Sequence, residues 1–308
     1  MFRSPRSVEE AHSRSGAAVT AEGLGVRGPR GWAFRDVTVT AEPGALIAIA
    51  GPSGSGRTCL LLALTGRMRV AAGWAEVAGH RLPQQMTAVR RVTGLGPVPG
   101  VSDLEPSLTV AEQLRERALL ARRFGSLRGL LRPRSVRAAE SRARIADALA
   151  RAGLDPATLP KGPRTAVRDL ERLEALRLSV ALALVDAPRL LAVDDTDLKL
   201  SPADRADAWA MLRAIAVDGT TVLAVCGEPP EDAVVVSTSR HARGRDGGPP
   251  TGAPVTDSTP DRATGPAAPP APGPDPERGD EQRGTHPPHA YDKHEKGASD
   301  AIAEAGRT

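Results

Sequence analysis

Gly51-Pro52-Ser53-Gly54-Ser55-Gly56-Arg57-Thr58 is the stretch on which the reading of this chain turns. It has the spacing of a phosphate-binding loop, G-x-x-x-x-G-Lys-Ser/Thr, except that Arg57 stands where the lysine is expected. Residues 45–50 (ALIAIA) form a short apolar run fit for a buried strand, and the residues from Thr58 onward (TCLLLALTG) continue as a helix. Strand, glycine-rich turn and helix is the order such a loop requires. Gly51, Gly54 and Gly56 permit positive φ and close approach of backbone N–H groups to phosphate oxygens, and the helix N-terminus adds partial positive charge. Pro52, Ser53 and Ser55 complete the candidate cradle. The Thr58 hydroxyl falls where it would bind a Mg²⁺ bridging two phosphates. Arg57 keeps the charge of lysine but spreads it over a wide planar fork. A glycine-rich turn without a ligand is the other reading of the octapeptide, and the flanking strand and helix favour the cradle.

The second half of such a site is an apolar strand ending in a carboxylate, and residues 189–195 (RLLAVDD) supply one. Asp194 sits where it would hold Mg²⁺ through water, and Asp195 where a base would orient an attacking water. Standing alone, two acids at a strand end would read as a solvated terminus. With the glycine loop upstream they read as the other wall of one site.

The chain has 308 residues and a net charge of +4, with only four lysines (161, 199, 293 and 296) among 41 basic residues. So small a charge gives no large positive field, and nucleic acid is not an expected partner. Cys59 and Cys226 are too few for a disulfide framework or a zinc site, which fits a reduced, cytoplasmic setting. No apolar run is long enough to span a bilayer, and the first sixteen residues carry charges where a signal peptide needs an apolar centre. From about residue 239 the chain is Pro, Gly, Asp, Arg and Thr with few aliphatics. That composition predicts a disordered tail over 239–308, and residues 1–17 are expected to be disordered for the same reason. The folded unit is expected over 18–238, opening with β-like segments (AVTAEGLGV, WAFRDVTVTA) and then alternating strands and amphipathic helices, an α/β pattern.

The order of segments resembles the ATP-binding subunit of an ABC transporter across residues 18–238. RDVTVTAEPGALIAIAGPSGSGRT resembles that family's strand, Pro-Gly turn, strand and phosphate loop. LSVALALVDAPRLLAVDDTDLKLSPADRADAWAMLRAIAVDGTTVLAV resembles its helix, acidic strand, following loop, helix and strand almost without gaps. The resemblance implies a P-loop NTPase fold with a mixed sheet, flanking helices, an antiparallel β segment and a helical subdomain over about 102–170. It implies ATP and Mg²⁺ as ligands, and two partners: an integral membrane permease and a second ATPase subunit. The chain would then lie peripherally on the inner face of the membrane. Trp32 is the candidate for stacking on adenine, with Phe34 second; a core aromatic on a strand is the alternative for Trp32. Arginines on the outer faces of 108–152 are read first as solvated and second as contacts to the permease.

Where the family places further groups around ATP, this sequence departs. The signature stretch falls at Leu170–Glu174, LERLE in place of Leu-Ser-Gly-Gly-Gln or Glu, so Glu171 and Arg172 put bulk and charge where small residues approach a second subunit's nucleotide. A symmetric homodimer is therefore disfavoured against a heterodimer. Gly227 stands at the switch histidine, Gly100 near the expected glutamine, Ser201 at an aspartate, and Asp195 at the catalytic glutamate, one methylene shorter. These departures predict Mg-ATP binding with weak or absent hydrolysis. A non-transport pseudo-ATPase with a regulatory or scaffolding role, and a slow but active ATPase using Arg57 and Asp195, are the alternatives.

Overall fold

The structure, a computed structural model, describes residues 16–29, 31–123, 133–197 and 199–238. Residues 124–132 and both expected disordered segments lie outside it, apart from Gly16 and Ala17. Those two belong to the fold: Ala17 is fully buried, its N–H donates to the Arg189 carbonyl, and Arg189 Nη2 donates to the Gly16 carbonyl. The fold thus includes at least these two residues ahead of the expected boundary. A small alanine followed by apolar Val19 can be drawn in by pairing that composition alone does not reveal.

Alternating apolar and polar residues near the N-terminus form β1 (Val19–Gly28) and β2 (Gly31–Ala41), which pair antiparallel. Five apolar residues without a break form β3 (Leu46–Ala50), buried throughout. The glycine loop leads from it into α1 (Arg57–Leu64). β4 (Ala72–Val77) pairs with β1 and with β5 (His80–Leu82), completing a four-stranded antiparallel sheet in the order β2-β1-β4-β5. A short helix α2 (Met86–Val92) leads into β6 (Thr93–Leu95).

The arginine-rich middle folds as two helices, α3 (Val110–Arg123) and α4 (Arg134–Arg151), followed by three single 3-10 turns between residues 156 and 169. Then come α5 (Arg172–Leu184), β7 (Leu190–Val193), α6 (Pro202–Val217), β8 (Thr221–Val225) and β9 (Val234–Ser237). The second sheet runs β6-β7-β8-β3-β9, with every described pairing parallel. β7 and β8 are buried as completely as β3, as a parallel sheet covered on both faces demands.

β3 shows how the two faces divide. Ile47 and Ile49 pack toward α1 and the antiparallel sheet with Phe34, Leu60 and Leu64, whereas Leu46 and Ala48 pack toward α5 and α6 with Val180, Leu184, Leu212 and Ile215. α5 carries apolar side chains around most of its circumference because it serves both this layer and a smaller cluster with Val110, Leu114 and Leu154. Leu114, Ala118, Ile145 and Leu149 fall on the inner faces of α3 and α4, as their spacing predicts.

One buried hydroxyl joins three segments distant in sequence. Thr221 Oγ1 donates to the Ala17 carbonyl at 2.7 Å and accepts from the Gly44 N–H at 2.9 Å, tying the first strand and the β2–β3 turn to β8. Thr221→Val keeps the shape and strands both backbone groups. Urea denaturation should show a loss of about 1–3 kcal/mol.

Candidate functional site

Because β7, β8 and β3 run parallel and adjacent, their C-terminal ends open on one edge of the sheet. That edge gathers the glycine loop after β3, the two acids after β7 and the Cys226–Glu228 stretch after β8, as expected for a binding crevice in an open α/β sheet.

The glycine loop is fixed from behind and open in front. A Cβ at Gly56 would lie 2.3 Å from the Ala33 carbonyl oxygen, and one at Gly51 would lie 2.5 Å from that of Thr238, so β2 and the end of β9 press directly on the loop. Gly54, with φ +78°, faces open space. Gly56 starts α1 in the left-handed region, and no side chain caps the helix. The first-turn N–H groups of an uncapped helix have no intrahelical acceptor, which suits an anion at the loop. Ser55, by contrast, is turned inward: it is 1% exposed, and its Oγ lies 2.6 Å from Thr238 Oγ1. Its N–H donates to the Pro52 carbonyl at 3.1 Å, closing the loop on itself.

Across the crevice, Thr58 Oγ1 donates to Asp194 Oδ2 at 2.7 Å. The two residues assigned to Mg²⁺ from the sequence are therefore in direct contact although 136 positions apart. Asp194 Oδ1 accepts from the Asp195 N–H, and the Asp194 N–H donates to the Pro97 carbonyl. Burial pushes the Asp194 carboxyl above its ordinary range; the Thr58 hydroxyl pulls it back, and the Asp195 charge raises it again. A hard divalent cation would relieve that buried charge, and a hydroxyl beside a carboxylate is a fitting donor pair for Mg²⁺.

Asp195 adopts φ +48°, an unusual conformation for a residue with a side chain. Together with Asp194 it lines a cavity of about 310 Å³, to which Arg172 and Pro97 also contribute. After β6 the Pro97 carbonyl accepts from the Asp194 N–H, and Gly100 donates its N–H to Asp103. Neither residue supplies a side-chain amide. At the signature stretch, Glu171 is the N-cap of α5. Its carboxylate and that of Glu174 bond reciprocally to backbone N–H groups of the first turn. Ser201 caps α6, accepting from the Asp204 N–H.

Arg57 does not turn toward the open side of the loop. Its Nη1 donates to the Cys226 carbonyl at 2.7 Å. Beyond it, Asp197 Oδ2 accepts from the Gly227 N–H at 2.8 Å, so the stretch at the switch position is held by a carboxylate from the segment after β7. Sequence reasoning missed Asp197 and Thr238, since neither belongs to a motif and each acquires its place only through strand order. Trp32 is partly exposed; its ring lies over Gly25, within cation–π range of Arg27 and Arg35 at 5.9 and 5.6 Å. Phe34 is core, 1% exposed, and is withdrawn as an adenine platform. Trp209 is buried on α6, and Trp74 on β4 carries Arg81 over its ring. Burial pushes the Cys226 thiol up to about 11.

The family model described as "ABC transporter" matches residues 34–197. A Nod factor export ATP-binding protein I of Cupriavidus metallidurans is 32% identical over 182 residues, covering 59% of this chain and 54% of that protein. One of Burkholderia thailandensis is also 32% identical, over 59% of this chain and 53% of that protein. The chain thus spans about half the length of the curated relatives it matches. Among solved structures, the dimeric ABC transporter cassette MJ0796 aligns with a TM-score of 0.56 at 18% identity, over 72% of this chain and 94% of that one. The cbiO1 structure from Clostridium perfringens aligns with a TM-score of 0.54 at 18% identity, over 68% and 78%. At these identities the structures speak for the fold.

The raised Asp194 has a directional consequence. A carboxyl whose folded pKa lies above its unfolded one costs stability once it ionises, and that cost fades as pH falls through the folded value. Without nucleotide, Asp194→Asn should therefore raise the Tm at pH 7, by about 1 kcal/mol of stability. Thermal denaturation across a pH series should show this advantage shrinking as the pH drops into the carboxylate range.

Proposed function

The chain belongs to the ABC transporter family, and from that premise we propose that it is a transporter's ATP-binding subunit which holds Mg-ATP and turns it over weakly or not at all. The observation that carries the binding half is the Thr58–Asp194 contact at the mouth of an uncapped, glycine-lined helix N-terminus. Backbone N–H groups of residues 53–54 and 56–58 would face the phosphates, and Thr58 and Asp194 would hold Mg²⁺. Bound Mg²⁺ supplies charge neutralisation between the phosphates, and the low-dielectric setting of Asp194 strengthens that attraction. Trp32 is retained for adenine at the cost of displacing one of its two arginines.

The weak-hydrolysis half rests on what surrounds the acids. Asp195, as the base, is one methylene short of a glutamate, a misplacement of about an ångström that costs on the order of 100-fold. Gly227 carries no side chain to meet a γ-phosphate, and Gly100 offers no side-chain amide to a metal. Glu171 spends its carboxylate on capping its own helix, so a partner's nucleotide meets no small-residue cradle there. These features favour a heterodimer in which an intact ATPase subunit supplies turnover, docked on a separate membrane permease. Among the described residues no helix is long and apolar enough to cross a membrane. Export is the direction to test first, since the relatives named above are export proteins.

Equilibrium binding of a fluorescent ATP analogue, with and without Mg²⁺, tests the first half. Saturable Mg-dependent binding is expected, weakened about tenfold or more by Thr58→Ala, the loss of one hydrogen bond to a charged group. Absence of binding at millimolar ATP would overturn it. Phosphate release should stay near background and be indifferent to Asp195→Asn; release abolished by that substitution would mark an active ATPase instead.

A further inference from the structure

Two of the contacts that hold the stretch after β8 come from the candidate site. On one side the Arg57 guanidinium donates to the Cys226 carbonyl at 2.7 Å. On the other, Asp197 Oδ2 accepts from Gly227 N–H at 2.8 Å and from Glu228 N–H at 3.4 Å. The fit around Gly227 is tight, since a Cβ there would lie 3.2 Å from Asp197 Oδ2. Next to it the Thr196 N–H donates to the Val225 carbonyl at 3.0 Å, so the segment carrying Asp194 and Asp195 is stitched to the end of β8. Glu228 meets Arg205 of α6 at 3.7 Å across an exposed surface.

Arg57 is the one member of this set that also belongs to the phosphate loop. Its present acceptor is a neutral carbonyl. A triphosphate at the adjoining helix N-terminus would offer several charged oxygens, which form shorter and stronger hydrogen bonds with a guanidinium, often two at once. A guanidinium drawn onto the phosphates would take Nη1 away from the Cys226 carbonyl. We propose that Arg57 is a positioning residue for the Cys226–Glu228 stretch and that a nucleoside triphosphate in the loop competes for its guanidinium, loosening that stretch while Asp197, the Cys226 N–H bond to Ile49 and the Glu228–Arg205 pair still hold it. Loop occupancy is thereby relayed to the segment after β7 through backbone contacts, with no side chain needed at position 227. This rests on the nucleotide-binding reading above.

Amide hydrogen exchange at Gly227 and Glu228 reports the stretch directly, with nucleotide saturation followed on the same sample by the fluorescent analogue. In the full chain, saturating Mg-ATP should speed exchange at these amides about tenfold, the effect of losing one charged hydrogen bond. Arg57→Met should exchange at the fast rate before nucleotide is added and show no further change afterwards. Asp197→Ala should exchange fast in both conditions, with nucleotide affinity within about twofold of the parent. If Arg57→Met fails to fold, the parent chain and Asp197→Ala still decide the matter. Saturated binding with unchanged or slower exchange overturns this proposal and leaves nucleotide binding standing. Absence of binding overturns both.

Discussion

Everything at the candidate site depends on β3 being buried on both faces between β8 and β9. A strand in that position must be apolar throughout and must satisfy its backbone on both edges, which fixes where its C-terminal end emerges. The glycine loop starts there, with the Thr238 carbonyl pressing on Gly51 and the Ala33 carbonyl on Gly56. A side chain at either glycine would force backbone apart. The loop is thus pressed by the sheet from behind and closed by its own Ser55–Pro52 hydrogen bond, with Pro52, Ser53 and Gly54 left facing solvent.

The same strand order creates an electrostatic cost. Asp194 emerges from a fully buried strand and is only 3% exposed, so its carboxylate leaves water with a threonine hydroxyl and a backbone N–H as its nearest donors. Such a group is poorly compensated in the protein alone, and its environment suits a cation. Arg57, the nearby cation of the loop, is occupied at the end of β8. The site therefore combines a strong electrostatic demand with a basic residue committed elsewhere, which distinguishes its binding chemistry from that of a loop with a free lysine.

Much of this was readable in one dimension. The octapeptide 51–58, the run ALIAIA before it and RLLAVDD far downstream have local patterns that dictate strand, turn and helix, and their spacing brings to mind one fold family. Glu171 and Gly227 were visible as departures for the same reason, since a motif defines what is missing. The reach of a side chain was not readable. The Ser55 side chain is turned into the core, and Phe34, the second candidate for stacking on adenine, is buried. Both are matters of side-chain direction, which no motif specifies.

By itself the sequence determined the order of elements, the apolar strands, the glycines that permit the loop and the identity of the two acids, because these follow from side-chain period, backbone sterics and composition. Tertiary structure alone decided that Thr58 meets Asp194, that Arg57 meets the Cys226 carbonyl, that Asp197 closes on Gly227 and that Thr238 backs the loop. The partners in these pairs are separated by 30 to 188 positions in their recorded contacts with the site. The physical reason is that a hydrogen bond is specified by the distance and angle of two atoms, and for residues so far apart only the register and order of parallel strands sets those quantities.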